Sequence, residues 1–201
     1  MNSWRGLQTE IENMKVGNWQ TTIGRGLKGN TLGVFGLGKQ GLQVVDYAKA
    51  FGMKVIAWSH NLKQEACEKV GVEYVSSTEL FKMSDILTIH TRLSDRTIGY
   101  IDKKKINLMK KGSVIVNTSR GPIIKEQDLI DALNNDVISC AALDVYDQEP
   151  LPKDHILRKT KNLILTPHIG YVSEEAYEKF FNGYLKAIEG FIEKKPVNQI
   201  S

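Results

Sequence analysis

An α/β fold with a doubly wound parallel sheet and a long C-terminal helix is predicted by three features of this 201-residue sequence. From Thr31 onward, short apolar runs alternate with amphipathic segments of helical period. The runs are almost continuously apolar, which is typical of strands that helices cover on both faces. Because crossovers between parallel strands are right-handed, an open doubly wound sheet is the main arrangement that remains.

The predicted elements follow one another in a regular order. Trp4, Leu7, Ile11 and Met14 recur at helical spacing ahead of a glycine-rich stretch, which predicts a helix and then a loop over residues 1–28. Strands are predicted at TLGVFG, MKVIAW, VEYV, DILTIH, SVIVNT, ISCAALDV and NLILTP. Helices are predicted at KQGLQVVDYAKAF, NLKQEACEKV, TELFKM, KKINLM, KEQDLIDALNN and SEEAYEKFFNGYLKAIEGFIEKK.

The composition indicates a globular protein and disfavours several classes of partner. The 27 Lys and Arg residues against 23 Asp and Glu residues give a net charge of +4, scattered rather than gathered into a basic stripe, so no nucleic-acid partner is expected. No apolar run reaches the length of a membrane span and the first residues lack a signal-peptide core, so a cytoplasmic protein with no membrane partner is expected. Cys67 and Cys140 lack metal-ligand spacing, so neither a metal site nor a disulfide framework is expected.

A glycine motif, Gly36-x-Gly38-x-x-Gly41, follows the first strand of the alternating region and opens a helix. One interpretation is a strand–helix turn that merely needs glycine. The strand–turn–helix context favours a Rossmann-type dinucleotide site, in which the first glycine permits the turn, the second admits the pyrophosphate and the third lets helix and strand pack closely. The backbone amides of Lys39 and Gln40 would then point at the phosphates from the helix N-terminus.

The ribose of the cofactor is expected to meet the residues after the second strand. An NAD site usually places Asp or Glu there to bind the 2′-hydroxyl group. This sequence has Ser59, His60 and Asn61 instead, and Ser59, His60 and Lys63 would tolerate or bind a 2′-phosphate. Use of NAD and NADP, leaning to NADP, is therefore predicted. His90, at the end of the fourth strand, is expected to line the same groove.

Three chemically suited residues follow later strands: Arg120 in NTSRGP, Glu149 in DVYDQEP and His168 in TPHIG. A guanidinium can hold a carboxylate or polarise a carbonyl, an imidazole can exchange a proton near neutral pH, and a carboxylate can tune that imidazole. Taken singly, they would be a surface arginine, a loop acid and a structural histidine. Because sites in open α/β sheets lie at the carboxyl ends of the strands, these residues and Asp144 are expected to gather at one edge.

The segments TLGVFGLGKQG, VIVNTSRGPII, AALDVYDQEPL and LTPHIGY, in this order, resemble the D-isomer-specific 2-hydroxyacid dehydrogenases. The resemblance implies an oxidoreductase that transfers a hydride between NAD or NADP and a small 2-oxo or 2-hydroxy acid. It implies that Arg120 binds the substrate's carboxylate and carbonyl oxygen, that His168 is the acid/base and that Glu149 orients and tunes it. Asp144 would hold the nicotinamide carboxamide. The remaining predicted cofactor contacts are Thr91, Thr118, Ser119, Arg120, His168 and Gly170.

The same resemblance suggests a division of the chain. Residues 1–28 are expected to form a linking and dimerisation helix with its loop, and residues 29–172 the dinucleotide-binding domain. Residues 173–201 are expected to form a helix that packs on a substrate domain. Family members carry that substrate domain ahead of the nucleotide domain, and this chain is expected to lack most of it.

A homodimer is expected to form through the first helix, with Trp4, Leu7, Ile11 and Trp19 supplying the apolar surface. Two alternatives to a working enzyme stay open. One is a catalytically weak or inactive NAD(P)-binding module that acts as a sensor or a partner-binding scaffold. The other is an incomplete gene product whose substrate domain is encoded upstream or has been lost.

Overall fold

The computed structural model describes residues 1–197. The chain forms two compact units, Met1–Pro167 and His168–Ser201. The second unit contains a single long helix, α8 (Glu174–Ile192), within its described part. This helix begins at Ser173, whose hydroxyl group accepts a hydrogen bond from the backbone N–H of Ala176 at 3.3 Å. The last four residues of the predicted closing segment lie outside the described residues.

The first unit is built on a parallel sheet that has seven strands within the described chain. The strands lie in the order β3-β2-β1-β4-β5-β6-β7, so the order reverses at β1, as in a doubly wound sheet. Their bounds are β1 (Thr31–Phe35), β2 (Lys54–Trp58), β3 (Glu73–Tyr74), β4 (Ile86–Ile89), β5 (Val114–Asn117), β6 (Cys140–Leu143) and β7 (Leu163–Leu165). The predicted fold class is confirmed, and each predicted strand is present with shorter ends.

Helices connect the strands and cover both faces of the sheet. Their bounds are α1 (Asn2–Arg5), α2 (Leu7–Lys15), α3 (Lys39–Ala50), α4 (Gln64–Glu68), α5 (Ser77–Met83), α6 (Lys103–Ile106) and α7 (Glu126–Asn134), with 3₁₀ turns at Gly121–Ile123 and Ile156–Lys159. Helix α5 shows how the sequence sets a helix start: Ser76 and Glu79 form a reciprocal capping box.

Alternation along the strands divides the core into two clusters. On β4, Ile86 joins one cluster, whereas Leu87 and Ile89 join the other, because successive side chains point to opposite faces. The first cluster, with Leu87 and Ile89, packs under α5, α6 and α7. The second cluster, with Ile86, packs under α1, α3 and α4. Cys67 of α4 is fully buried in the second cluster, which the polar character of its helix did not suggest. Burial raises the pKa of this thiol.

The N-terminal segment differs in detail from the single predicted helix. Gly6, at φ 61°, separates α1 from α2, and residues 16–30 contain neither helix nor strand. Trp4 is 5% exposed and belongs to the second core cluster, where its indole N–H donates to the carbonyl of Gly26 at 2.9 Å. Its predicted place on an exposed dimer surface is therefore wrong, because the side chain is already buried against its own sheet.

Six strands end in one hydrogen-bonded row at the carboxyl edge of the sheet. Phe35 is paired in register with Trp58 on one side and with Ile89 on the other. The row continues from Ile89 through Asn117 on β5. It reaches Leu165 through Leu143. The residues that follow these strands therefore leave the sheet side by side at one edge.

Among the described residues, no helix has both the length and the apolar character needed to cross a bilayer.

Gly33→Ala tests the packing between β1 and α5. A Cβ at this position would lie 1.9 Å from the hydroxyl oxygen of Ser84, which is buried and donates to the Leu80 carbonyl at 2.5 Å. Overpacking of this kind costs about 1–3 kcal/mol of unfolding free energy. Urea unfolding would measure the loss. Gly26→Ala is the control, since a Cβ there meets no atom within 4 Å; equal stability of the two variants would contradict the described packing.

Candidate functional site

The glycine loop joins β1 to α3 through close backbone contacts. Gly36 adopts φ 106°, and a Cβ there would lie 2.6 Å from the backbone nitrogen of Thr91. A Cβ on Gly41 would lie 2.3 Å from the carbonyl oxygen of Gly36. By contrast, a Cβ on Gly38 would meet no atom within 4 Å. Two glycines therefore let the chain pack against itself, and the middle one leaves the backbone open to a ligand.

A groove of about 850 Å³ opens beside this loop. It receives residues from the ends of four strands, β1, β2, β4 and β5. Its lining consists of Gly36, Leu37, Gly38, Lys39, Gln40, Ser59, Asn61, Leu62, His90, Thr91, Arg92, Leu93, Ser119 and Arg120. The first N–H groups of α3, at Lys39 and Gln40, lack acceptors within the helix and suit an anion. The groove thus brings together nine of the predicted site residues.

His90 stands at the inner wall of the groove. Its backbone N–H donates to the carbonyl of Phe35 at 2.8 Å, and its Nε2 lies 2.9 Å from the hydroxyl group of Thr88. Burial lowers the pKa of His90 below its ordinary value. A lowered pKa favours the uncharged imidazole, which contributes a polar contact.

The loop after β5 is held by a small hydrogen-bond network. The buried side chain of Asn117 donates to the Arg120 carbonyl at 2.9 Å and accepts from the backbone N–H of Ser119 at 3.0 Å. The hydroxyl group of Ser119 donates to the Thr91 carbonyl at 2.5 Å, which ties this loop to the loop after β4. The backbone that carries Arg120 is therefore fixed, while its side chain is exposed.

The loop after β6 packs against the loop of Arg120. A Cβ on Gly121 would lie 2.1 Å from the carbonyl carbon of Tyr146, so only glycine permits this approach. One carboxylate oxygen of Glu149 accepts from the backbone N–H of Tyr146 at 2.9 Å, and the Glu149–Pro150 peptide bond is cis. Arg120 and Glu149 thus come from two loops in direct contact through Gly121 and Tyr146.

Asp144 and Thr118 line a second, smaller cavity of about 310 Å³, together with Met1, Asn2 and Ser3. The Thr166 hydroxyl group donates to the carboxylate of Asp144 at 2.5 Å. These two predicted site residues therefore lie at the carboxyl edge of the sheet, as the groove residues do, but they line this second cavity and not the groove.

His60 turns away from the residues that line the groove. Its ring lies 4.9 Å from the ring of Trp58 and 5.0 Å from that of Tyr100, centre to centre. Partial burial, and then the charges of Arg96 and Lys105, lower the pKa of His60. Gly41 is buried beneath the glycine loop, so its part in the site is to permit packing.

His168 and Gly170 belong to the second compact unit, which begins at His168. His168 adopts φ 53°, in the left-handed region that residues other than glycine rarely occupy. Its ring lies edge-on to that of Tyr171 at 5.4 Å, and Tyr171 in turn lies 6.3 Å from Phe180 of α8. The histidine is thus packed at the start of its own unit.

Several residues that line the groove were not predicted as site residues from the sequence. Leu37, Leu62, Arg92 and Leu93 line it, and each lies within three residues of a predicted site residue. Their position just after the strand ends is the sequence feature that could have identified them.

No arrangement of three or more His, Cys, Asp or Glu side chains that suits a metal ion occurs among residues 1–197.

The sequence is similar to several enzymes that are named as reductases or dehydrogenases. The chain is 42% identical over 156 residues to a glyoxylate reductase of Thermococcus litoralis, covering 78% of this chain and 47% of the relative. It is 43% identical over 175 residues to a D-3-phosphoglycerate dehydrogenase of Methanocaldococcus jannaschii, covering 86% and 33%. The chain therefore spans a third to a half of these relatives' length.

A solved structure matches both units in their fold. The crystal structure of a putative D-3-phosphoglycerate dehydrogenase oxidoreductase from Ralstonia solanacearum superimposes with a TM-score of 0.92 at 36% identity, covering 98% of this chain and 62% of that one. Residues 1–170 match the family model described as D-isomer specific 2-hydroxyacid dehydrogenase, NAD binding domain. The match includes the glycine loop, the groove and the loops of Arg120 and Glu149. The chain belongs to the D-isomer-specific 2-hydroxyacid dehydrogenase family, and residues 1–170 match the NAD-binding domain of that family.

Proposed function

We propose that this chain takes part in NAD(P)-dependent interconversion of small 2-oxo and 2-hydroxy acids. The observation that carries the proposal is the groove at the carboxyl edge, which joins an open glycine backbone to the loop of Arg120. The family relatives support it, since they include a glyoxylate reductase and a D-3-phosphoglycerate dehydrogenase. The substrate itself is proposed only as a class, a short 2-oxo acid.

The geometry of the groove supports a nicotinamide dinucleotide as its ligand. Gly38 presents backbone with no atom near its missing Cβ, so a pyrophosphate has room to approach. The N–H groups at Lys39 and Gln40 and the positive end of α3 suit the phosphates. Ser59 at the end of β2 would meet the adenosine ribose, and His90, Thr91 and Ser119 would form the inner wall.

Asp144 and Thr118 are proposed for the nicotinamide end. Asp144 is buried, and its carboxylate is oriented by the hydroxyl group of Thr166. A fixed carboxylate accepts hydrogen bonds from an amide NH₂ group, which suits the carboxamide of the nicotinamide. Gly170 is proposed as a backbone contact, by family resemblance.

The bound nicotinamide would supply the hydride equivalent that reduces the carbonyl carbon of the substrate. The guanidinium of Arg120 offers paired N–H donors for the substrate's carboxylate and carbonyl oxygen. His168 is proposed to donate a proton to that oxygen as negative charge develops there. Glu149 is proposed as the carboxylate that supports the imidazolium form, and its anchoring by the Tyr146 N–H holds one oxygen in place.

By family resemblance, the chain is proposed to divide into three segments. Residues 29–172 are proposed as the dinucleotide-binding domain, and residues 1–28 as a linking and dimerisation segment. Residues 173–201 are proposed as a helix that packs on a substrate domain. Large apolar side chains of α8, among them Phe181 and Phe191, are exposed, which is consistent with such a role.

A homodimer through α2 is proposed on the exposure of its apolar side. Leu7, Ile11 and Met14 follow helical spacing and are 43–56% exposed, and Trp19 beyond the helix is 73% exposed. With Trp4 buried, these four residues form the surface that remains for a second copy of the chain.

Gly38→Ala tests the cofactor site. A methyl group there meets nothing in the folded chain but occupies the space proposed for the pyrophosphate. We expect unchanged stability and dinucleotide binding weakened at least tenfold, which is about 1.4 kcal/mol. Calorimetric titration with NADH and NADPH measures this effect. Gly36→Ala, which clashes with Thr91, should lose stability as well. Unchanged binding in Gly38→Ala would argue against the proposed site.

His168→Ala tests the proposed chemistry. Removing the proton donor should lower turnover by about 10²–10⁴-fold, far more than the loss of one cofactor contact lowers dinucleotide binding. The assay follows oxidation of NADH and NADPH with glyoxylate, hydroxypyruvate and 2-oxoglutarate. His155→Ala is the matched control, since that imidazole faces Glu126 at 3.5 Å. Dinucleotide binding without turnover of any 2-oxo acid would favour a binding module instead.

Ile11→Asp tests the dimer. A charge in the centre of an apolar interface should convert the dimer to a monomer, because burying an unpaired carboxylate is unfavourable. Light scattering at micromolar concentration should show twice the chain mass for the unaltered protein and the single mass for the variant. Ile156→Asp is the control, since Ile156 is comparably exposed outside this segment. A monomeric unaltered protein would refute the proposal.

A further inference from the structure

The loop that follows β4 carries two guanidinium groups on a fixed backbone. We refer to residues 91–97 as the arginine loop, because it contains Arg92 and Arg96. Thr97 is 3% exposed, and its hydroxyl group accepts from the Ser94 N–H at 2.8 Å and lies 2.8 Å from the Arg92 carbonyl. The side chain of one buried threonine therefore holds the turn between the two arginines.

Arg96 reaches across to the segment that follows β2. Its Nη1 lies 3.4 Å from the side-chain oxygen of Asn61, and Asn61 lines the groove together with Ser59. The charge of Arg96 also contributes, after burial, to the lowered pKa of His60. The guanidinium of Arg96 therefore lies beside a groove residue without lining the groove itself, next to a segment after β2 that supplies only neutral side chains and Lys63.

The charged side chains that line the groove favour an anionic ligand. Its charged lining residues within the described chain are Lys39, Arg92 and Arg120, and no Asp or Glu side chain contributes to that lining. Asp95, the acid of the arginine loop, is not one of the lining residues. At the ribose position, Ser59 replaces the carboxylate that binds a 2′-hydroxyl group in an NAD site. No lining group would repel a further phosphate.

We propose that Arg96 selects NADPH by binding the 2′-phosphate of its adenosine ribose, with Ser59 and Asn61 as the adjoining polar contacts. The inference rests on the proposed dinucleotide function and adds a specificity-determining residue to it. A phosphate carries about −1.5 to −2 charges and three acceptor oxygens, which match the planar donor fork of a guanidinium. The determinant comes from the loop after β4, whereas the sequence prediction placed it after β2.

Calorimetric titration of the full chain with NADPH and NADH tests the inference, with Arg96→Ala, Arg96→Lys and the unaltered protein compared. The unaltered protein should bind NADPH more tightly than NADH. Arg96→Ala should weaken NADPH binding by roughly tenfold, the effect of losing one charge-assisted contact, and leave NADH binding within about twofold. Arg96→Lys should be intermediate, because it keeps the charge and loses the fork. Lys111→Ala is the charge-matched control, since Lys111 precedes β5 at the opposite edge of the sheet.

Two further measurements isolate the 2′-phosphate. Adenosine 2′,5′-bisphosphate should bind more tightly than AMP, and that difference should vanish in Arg96→Ala. Ser59→Asp should favour NADH over NADPH, because the new carboxylate binds the 2′-hydroxyl group and repels the phosphate. Equal loss of NADPH and NADH binding in Arg96→Ala, or rejection of NADPH by the unaltered protein, would overturn the inference and leave the dinucleotide function standing. Failure of the unaltered protein to bind either dinucleotide would overturn both.

Discussion

The shared end row of the parallel strands is the constraint on which the rest of the site depends. From Trp58 on β2 to Leu165 on β7, neighbouring strands finish at paired residues. A parallel ladder has one direction, so every following loop leaves at the same edge. This is why Gly36, Ser59 and Asp144, which are far apart in the sequence, all begin loops along one line.

Close backbone approaches then determine which of those loops touch. The loop after β1 lies against the loop after β4 because Gly36 has no side chain to hold them apart. Gly121 does the same for the loops after β5 and β6, where it lies against Tyr146. Hydrogen bonds from Ser119 and Asn117 complete the connection. A rigid edge of this kind suits a site that must hold a long cofactor and a small substrate in a defined geometry.

Electrostatics divides the edge into parts with different chemistry. Cationic side chains and helix N–H groups line the groove, and these groups suit phosphates. Asp144 lines the separate second cavity. Burial lowers the pKa of His90, which favours its uncharged form at the inner wall of the groove. The positive groove and the buried acid therefore correspond to the phosphate-rich and the nicotinamide parts proposed for one ligand.

The sequence by itself determined the fold class, the order of the strands along the chain and the position of the glycine loop. The reason is that the period of apolar residues and the spacing of glycines are local properties of the chain. Family motifs also located Arg120, Glu149 and His168 in the sequence. Only the tertiary structure decided that Trp4 and Cys67 are core residues, that His60 packs on Trp58 and Tyr100, and that Arg96 stands beside Asn61. Three of the contacts involved, Trp4 with Gly26, His60 with Tyr100 and Arg96 with Asn61, join residues 20 to 40 positions apart, which a local sequence pattern does not encode.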